Sequence, residues 1–418
     1  MFPFAEIIPL ILASFLQAFL SPQFLPLFLI VMVIIAMQYR RMEKLRESFF
    51  GRGTGRTRTD IFIATGLGLV GGLVGSYLMV IIGLTLSEAG LIYLWPVAII
   101  LMLINMRFLC FSYAGGLLAL SSLLLGFPKI NVPQIMALVA ILHMVESFLI
   151  LASGHLGAVP AYIKGHGGKV IGGFTLQKFW PIPIVVLAVM AGGGVVEGGI
   201  EMPGWWPLIK PGLPGDPQTL TYILLPVVAG LGYGDLAIAR SPVEKSRLSA
   251  LCLGIYSVVL LILAVLSEQS RAAALAAAVF SFMGHELVIY IGRGIEFKGE
   301  PLYVPPEQGV RLLDVLPDGP AWRAGIRSGD VLLAVNGAKV TDKMDLYHRL
   351  QGAVLPLSVD YWSRVASAHR RELMSPPARG KSWGVVPVPE GQEEQYVELI
   401  TNGPLGRWLR NAWRYLIR

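Results

Sequence analysis

Two histidine-containing segments in apolar surroundings are the first candidates for metal chemistry. The run Gly284-His285-Glu286-Leu287-Val288-Ile289 begins like the helical motif in which two histidines one turn apart bind zinc and a glutamate acts as general base. Ile289 stands where the second histidine is needed. His143 and Glu146 share one helix face three residues apart, but one such pair cannot fill a metal site alone. The sequence therefore predicts no metal ligands and no cofactor.

A short acidic motif is the second candidate. Gly232-Tyr233-Gly234-Asp235 matches the Gly-x-Gly-Asp motif of intramembrane aspartyl proteases, which need one ionised and one protonated carboxyl group. A dyad with Asp60 is geometrically conceivable, whereas Asp216 is expected on the opposite side of the membrane. The simpler interpretation is a helix end at which Asp235 pairs with Arg240 or Arg247. No catalytic residue is assigned.

Several polar side chains lie within apolar runs, where they are expensive to bury in a membrane. We predict that they form an intramembrane polar cluster, and a structural role and a binding role both stay open. A transporter would need a similar site near the membrane midplane, but the chain shows no convincing inverted repeat. The predicted cluster comprises His143, Glu146, Asp235, His285 and Glu286.

The composition indicates what must position these side chains. Of the 418 residues, 54% are hydrophobic and 15% are charged, against about 25% charged residues in soluble proteins. Charge is sparse from 61 to 291 and dense afterwards, which predicts a membrane region followed by an aqueous one. Cys110 and Cys252 lie in apolar runs and are expected to be inert buried side chains. The net charge of +7 lies largely beside the predicted spans, which argues against nucleic-acid binding.

A membrane span needs roughly 20 mostly apolar residues in a helix. The sequence predicts an all-α helical bundle of about 8–10 transmembrane helices in residues 1–292, where the stretch 4–20 is the uncertain tenth span. Gly71 and Gly75 form a small-xxx-small pair suited to close helix packing. The predicted spans lie near 22–39, 61–85, 91–106, 108–126, 134–153, 182–199, 219–239, 248–267 and 271–292.

The loops between spans predict the orientation. If the loop 40–60 is cytoplasmic, the loops on its side carry 14 Lys and Arg residues and the opposite loops carry 3. The positive-inside rule then predicts a multi-pass protein of the bacterial cell membrane, with everything after Arg293 in the cytoplasm. The cytoplasmic loop 154–181 has short β-rich runs around a Gly-rich turn, which indicates a hairpin.

The sequence changes character at Gly309. The patterns predict strands at 310–315, 331–335, 357–362 and 370–373, a hairpin turn at Asn336-Gly337 and an amphipathic helix over 344–350. The string from Gly309 to Gly337 resembles a small α+β PDZ domain of the bacterial type, assigned to 293–375. Such domains bind an extended peptide, often a free C-terminus, at a sheet edge beside the longer helix.

The resemblance implies a peptide groove, with the carboxylate-binding loop near Leu302-Tyr303-Val304. The surrounding prolines remove backbone donors that such a loop needs, so a C-terminal peptide, an internal strand or a purely structural role all stay open. The groove residues predicted in this way are Leu302, Tyr303, Val304, Gly309, Val310, Leu312, Leu346 and Leu350.

Residues 376–418 are predicted to be a Pro/Gly-rich linker followed by a basic amphipathic helix. The last 16 residues combine tryptophans, leucines and arginines at helical spacing. Such a helix is suited to the anionic inner leaflet, or alternatively to docking on the PDZ domain.

Ordered motifs run along the whole chain, at 107–116, 143–146, 153–158, 176–183, 232–238 and in the PDZ string. Through these segments the whole chain resembles the MinJ-like membrane proteins of Gram-positive, endospore-forming bacteria. The resemblance implies a non-enzymatic division-site adaptor of the Min system that acts in septum placement, with cytoplasmic or membrane partners like DivIVA and MinD, and leaves a homo-oligomer open. The alternative function is an intramembrane protease, of the Gly-x-Gly-Asp or degenerate zinc type, or its PDZ-bearing regulatory subunit.

Overall fold

The computed structural model describes most of the chain, and the statements below concern those residues. The predicted helix at 403–418 lies outside them. The described residues are 2–51, 53, 55–86, 90–165, 168–190, 200–213, 216–351, 355–378, 382–391 and 393.

The first part of the described chain is built mainly from helices. Five of them, α2, α3, α6, α7 and α8, are long and apolar enough to cross a membrane. The other three have 14 or 15 residues, hence roughly 21–23 Å, which is shorter than a bilayer core. The helices are α1 (Phe4–Ala18), α2 (Phe24–Phe50), α3 (Thr57–Ile82), α4 (Leu91–Ile104), α5 (Phe111–Leu125), α6 (Val132–Ser153), α7 (Pro242–Leu266) and α8 (Arg271–Lys298).

The predicted fold class, a helical membrane part followed by a PDZ domain, is confirmed. Seven predicted spans coincide with helices α2 to α8, and the uncertain stretch 4–20 contains α1. Helix α6 is buried along most of its length, since α3, α5, α7 and α8 pack around it.

Two predicted spans are wrong, because they are strands instead of helices. A three-stranded antiparallel sheet consists of β1 (Val159–Lys164), β2 (Val170–Val189) and β3 (Tyr222–Ala237), in the order β1-β2-β3. The predicted helix at 182–199 falls on β2 and on residues outside the described part, and that at 219–239 falls on β3. The predicted hairpin in 154–181 is confirmed by the pairing of β1 with β2.

The residue types explain why this apolar stretch is a strand. Pro181 and Pro183 would each interrupt a helix, and the β-branched residues that follow them favour a strand. Hydropathy alone does not distinguish a buried strand from a buried helix. Strand β1 pairs with β2 only as far as Thr175, so beyond that residue one edge of β2 has no strand neighbour and tolerates proline.

Helix α3 covers this free edge of β2. A Cβ atom added at Gly68 or Gly72 would overlap the carbonyl oxygen of Pro181 or Pro183, respectively. One turn further along, the Ser76 hydroxyl accepts a hydrogen bond from the backbone N–H of Val185 at 2.8 Å. Backbone groups of a strand edge facing lipid would be unsatisfied. The small residues of α3 therefore allow a helix to replace the missing strand.

The soluble part has the predicted PDZ elements. Asn336 and Gly337 form the β5–β6 turn with φ of 51° and 76°, as the hairpin signal predicts. The Asp342 side chain caps α10 by accepting from the Asp345 N–H. The elements are β4 (Val310–Val315), α9 (Pro320–Arg323), β5 (Val331–Val335), β6 (Ala338–Lys339), α10 (Lys343–Leu350), β7 (Leu357–Ser363) and β8 (Ala368–Met374).

A last strand lies in the stretch predicted to be a linker. Strand β9 (Val385–Pro387) pairs antiparallel with β4 and completes the sheet order β8-β7-β5-β4-β9, with β6 beside β5. Val385 and Trp383 pack in the PDZ core. The segment that contains β9 is thus part of the folded domain, and the interpretation of residues 376–391 as a linker is wrong at this strand.

Candidate functional site

The predicted carboxylate-binding loop 302–304 does not lie at a peptide groove. The Leu302 N–H donates to the Ile238 carbonyl, and the Tyr303 carbonyl accepts from the Gly172 N–H. The Tyr303 ring is buried and packs edge-on against Phe174 of β2, with centroids 5.2 Å apart. This loop instead fixes the PDZ domain to the hairpin of the membrane part, which is the physical reason for correcting the prediction.

The other predicted groove residues lie in the PDZ domain but form its interior. Val310 and Leu312 on β4 and Leu346 and Leu350 on α10 are buried in one hydrophobic core. Gly309 precedes β4 with φ of 78°, and a Cβ there would overlap the Leu332 carbonyl oxygen. These residues stabilise β4 and α10, the elements between which the resemblance implies a peptide groove.

The position beside α10 is taken by the segment around β9. The indole N–H of Trp383 donates to the Leu350 carbonyl at 2.7 Å, at the end of α10. The Glu390 carboxylate accepts from the Lys343 N–H at 3.0 Å, at the start of the helix. The segment 383–390 therefore runs along α10 from its C-terminus to its N-terminus, while β9 pairs with β4.

The outer edge of β9 has few free backbone groups. The Gly384 carbonyl accepts from the Leu316 N–H, one residue after β4, and the Val388 N–H donates to the Arg311 carbonyl of β4. By strand alternation, the groups of Val385 and Pro387 therefore face the other way. Pro387 has no N–H, and its carbonyl accepts from the Tyr162 hydroxyl of the membrane part at 3.2 Å. Val385 alone in β9 can donate to an added peptide strand. Augmentation at this edge is therefore limited to a short contact.

The turn before β9 has features that suit a carboxylate. Gly384 has φ of 76° between two apolar residues, Trp383 and Val385. Backbone N–H groups in such Gly-containing turns can capture a C-terminal carboxylate. A glycine flanked by apolar residues, which is absent near Leu302, is therefore present at the other end of the domain.

The residues of the predicted polar cluster separate into two groups. His143 on α6 and His285 on α8 converge on Cys110, which caps α5: the Nε2 atoms lie 3.1 Å and 3.7 Å from its Sγ. Glu286 points away from this sulfur, since it accepts from Tyr113 at 2.8 Å and pairs with Arg107 at 2.7 Å. Cys110 is therefore not the isolated apolar side chain that the sequence suggested.

Glu146 lies one helical turn after His143. Its carboxyl group is within electrostatic range of Cys110, His143 and His285. It thus belongs with the first group.

Asp235 belongs to the second group, on β3 instead of a helix end. Its carboxylate pairs with Lys245 of α7 at 3.0 Å and accepts from the Ser249 hydroxyl at 2.7 Å. The predicted pairing with Arg240 or Arg247 is wrong, because Lys245 of α7 reaches Asp235 and Arg240 instead lies 3.6 Å from Glu296.

The proposed aspartate dyad has no support in these contacts. Asp60 pairs with Arg46 at 3.5 Å, and Arg46 also donates to the Gly157 carbonyl. Asp235 is neutralised by a lysine that is 0% exposed. Each carboxylate therefore has its own cationic partner, whereas the two carboxyl groups of a catalytic dyad share one site.

Comparisons with known proteins identify a domain family and similar proteins. Residues 312–359 match the family model for a PDZ domain. The chain is similar to the cell division topological determinant MinJ of Bacillus subtilis, with 23% identity over 220 residues that make up 52% of each chain. It is also similar to the putative serine protease HhoA of Synechocystis, with 42% identity over 55 residues, 13% of this chain and 14% of the other. The matched stretches thus cover about half of MinJ and a small part of HhoA.

Proposed function

We propose that this MinJ-like protein with a C-terminal PDZ domain is a non-enzymatic membrane scaffold that recruits division-site or cell-pole proteins. The similarity to a cell division topological determinant supports a division-related role. The PDZ match supports recruitment by protein–protein contact. By the same similarity, proteins like DivIVA and MinD are the first candidate partners.

The PDZ domain lies on the cytoplasmic side in this proposal. The excess of basic residues in alternate loops supports that orientation. Strands β2 and β3 do not change it, since the 14 residues after Thr175 in β2 extend about 46 Å, enough to cross the bilayer and return as a hairpin. Contacts at the far end support this: the Ile209 N–H donates to the Ile82 carbonyl at the end of α3.

The observation that carries the proposal is an exposed apolar face on α10. Met344 and Tyr347 lie one turn apart and are 58% and 42% exposed. They stand on the helix that forms one wall of the groove beside β9. Both side chains stay exposed while the domain is fixed on the membrane part through Tyr303, so a partner can contact them.

Affinity capture of the tagged full-length chain from mild-detergent membranes tests the proposal. We expect division or polarity proteins to copurify, and we expect Met344→Glu and Tyr347→Glu to reduce their recovery at least tenfold, since a buried apolar anchor is worth about 2 kcal/mol. Val365→Glu is the matched control, because Val365 is 83% exposed on the β7–β8 turn, away from α10.

The outcomes are distinguishable. Partners lost with the α10 variants and retained with Val365→Glu support recruitment at this face. Recovery that is equal for all three variants and the wild-type chain contradicts it. A full deletion of the domain is less informative, since Tyr303 and Val386 also pack in the core of the membrane part.

The protease alternative makes a separate prediction. If Asp235 were catalytic, Asp235→Asn would leave the fold intact and cause an uncleaved membrane substrate to accumulate. We expect instead a loss of stability of about 3 kcal/mol with no accumulating substrate, because the buried Lys245 is left without its partner charge. Thermal unfolding of the purified variant, together with comparison of membrane proteomes, checks both expectations.

A further inference from the structure

Three side chains of metal-ligand type converge from three parts of the helical bundle. Cys110 precedes α5, His143 lies in the middle of α6 and is 3% exposed, and His285 lies in α8. One donor atom of each lies within 4.8 Å of the other two. This group has no part in the recruitment proposed above.

The spacing matches a tetrahedral transition-metal site. With a Zn–S bond of about 2.3 Å and Zn–N bonds of about 2.05 Å, tetrahedral angles place sulfur and nitrogen about 3.5 Å apart. The two Sγ–Nε2 distances, 3.1 Å to His143 and 3.7 Å to His285, lie on either side of that value. A central ion therefore fits after displacements of a few tenths of an ångström.

The His143 ring is oriented for ligation. Its Nδ1 lies 2.7 Å from the Val139 carbonyl, which can only accept, so Nδ1 carries the proton. The lone pair of Nε2 then faces Cys110. Metal-binding histidines are commonly fixed in this way by a backbone carbonyl.

The His285 ring is fixed through a tyrosine. Its Nδ1 lies 3.4 Å from the Tyr113 hydroxyl, which donates to the Glu286 carboxylate at 2.8 Å. The hydroxyl oxygen is therefore free to accept from Nδ1, and Nε2 again faces Cys110. Arg107 holds Glu286 in place at 2.7 Å. The His285 ring is thus oriented by a chain of hydrogen bonds that ends on a carboxylate, as is common at metal sites.

We propose that Cys110, His143 and His285 bind one zinc ion, with sulfur as thiolate and both imidazoles neutral. A thiolate with two imidazoles suits zinc and excludes magnesium and calcium as preferred ions. Binding releases the thiol proton of Cys110. Among the described residues this group has three members, so a fourth position is open to water.

Metal analysis of the purified full-length chain is the first test. We expect about one zinc per chain, and loss of most of it in Cys110→Ser and in His285→Gln. The matched control is Cys252→Ser, since Cys252 lies on α7 outside the group. Equal zinc in the wild-type chain and Cys110→Ser, or none in the wild-type chain, overturns the proposal.

Two further measurements do not depend on whether the ligand variants fold, because both use Cys252→Ser, which keeps all three proposed ligands. In Cys252→Ser, exchange of zinc for Co²⁺ should give a thiolate-to-cobalt charge-transfer band. In the same variant, a membrane-permeable maleimide should alkylate Cys110 only after treatment with phenanthroline. Absence of the band, or an alkylation rate that the chelator does not change, overturns the assignment.

Discussion

At the scale of single residues, the chain brings together groups that are far apart in sequence. Cys110 is 33 positions from His143 and 175 from His285, yet its sulfur contacts both imidazoles. Sequence patterns on one helix predict pairs such as His143 and Glu146, because spacing three returns to the same face. They cannot predict a ligand from another helix, which depends on how the helices pack. The histidines were therefore predictable as buried polar groups, and their common partner was not.

Asp314 on β4 allows a prediction about pH. Burial raises the pKa of its carboxyl group to about 7, although the Val315 N–H donates to it. Between about pH 4 and 7 the Asp314 carboxyl is thus protonated in the folded state and ionised in the unfolded state. The stability that this proton contributes to the folded chain is therefore lost as pH rises through this window. We expect Asp314→Asn to be more stable than the wild-type chain by about 2 kcal/mol above pH 7. At about 1.4 kcal/mol per pKa unit the raised pKa corresponds to a larger difference, and the remaining contact of the carboxyl with solvent reduces it.

Unfolding of the two chains at pH 5, 6, 7 and 8 measures this difference. It should grow up to about pH 7 and then stay constant. Glu372→Gln is the matched control, because Glu372 on β8 is exposed and its change should affect stability little at any pH. A difference that is the same at all four pH values would contradict the assignment of the proton to Asp314.

At the scale of elements, one strand is stabilised by a helix in place of a neighbouring strand. Helix α3 presents Gly68, Gly72 and Ser76 to the free edge of β2, and Gly71 faces Val145 and Leu149 of α6. The sequence predicted close helix packing at Gly71 and Gly75, and it did not single out Gly68, Gly72 or Ser76. It did not predict that one partner is a strand, although the alternate prolines of β2 are a signal that could have indicated it.

The packing of α3 on β2 can be tested with two glycines of the same helix. Gly72→Ala places a Cβ against the Pro183 carbonyl oxygen, a backbone atom that cannot move alone. We expect a loss of stability of about 2 kcal/mol or more, as overpacking of a core usually causes. Gly66→Ala is the control, since nothing lies within 4 Å of its added Cβ.

Thermal unfolding of both variants in detergent measures the effect. Gly66→Ala should be neutral or stabilising by up to about 1 kcal/mol, because alanine favours a helix. Equal stabilities of the two variants would show that α3 does not cover β2 as closely as described.

At the scale of the whole molecule, the PDZ domain and the membrane part share a buried contact. The Tyr303 ring lies against Phe174, the Tyr162 hydroxyl donates to Pro387, and Arg56 pairs with Asp318 at 3.5 Å. The sequence predicted both parts and their order. The contact was not predictable, because neither segment has a local sequence pattern that indicates the other segment as its partner.

Replacement of Tyr303 tests how firmly the domain is held. The PDZ core does not include Tyr303, so Tyr303→Ala should leave that core folded while it weakens docking by about 3 kcal/mol. We expect amide exchange in the segment 300–309 to become about a hundredfold faster, with exchange in β5 unchanged. Trp362→Ala, which changes an aromatic residue on the far strand β7, is the control.

Hydrogen exchange followed by mass spectrometry resolves these segments. Faster exchange in β5 as well would mean that Tyr303 supports the folding of the domain itself. Unchanged exchange in 300–309 would mean that other contacts are sufficient for docking.

In the proposed topology, in which β2 and β3 cross the membrane as a hairpin, this hairpin also constrains how the protein enters the membrane during synthesis. A single apolar helix can move from the insertion machinery into the membrane by itself, since its backbone groups form hydrogen bonds within the segment. Strand β2 cannot, because its N–H and carbonyl groups need β3 on one side and α3 on the other. Helix α3 is synthesised about a hundred residues earlier and is in place when β2 emerges, whereas β3 follows 32 residues after β2 ends. During synthesis, one edge of β2 therefore stays unpaired until the ribosome has synthesised β3.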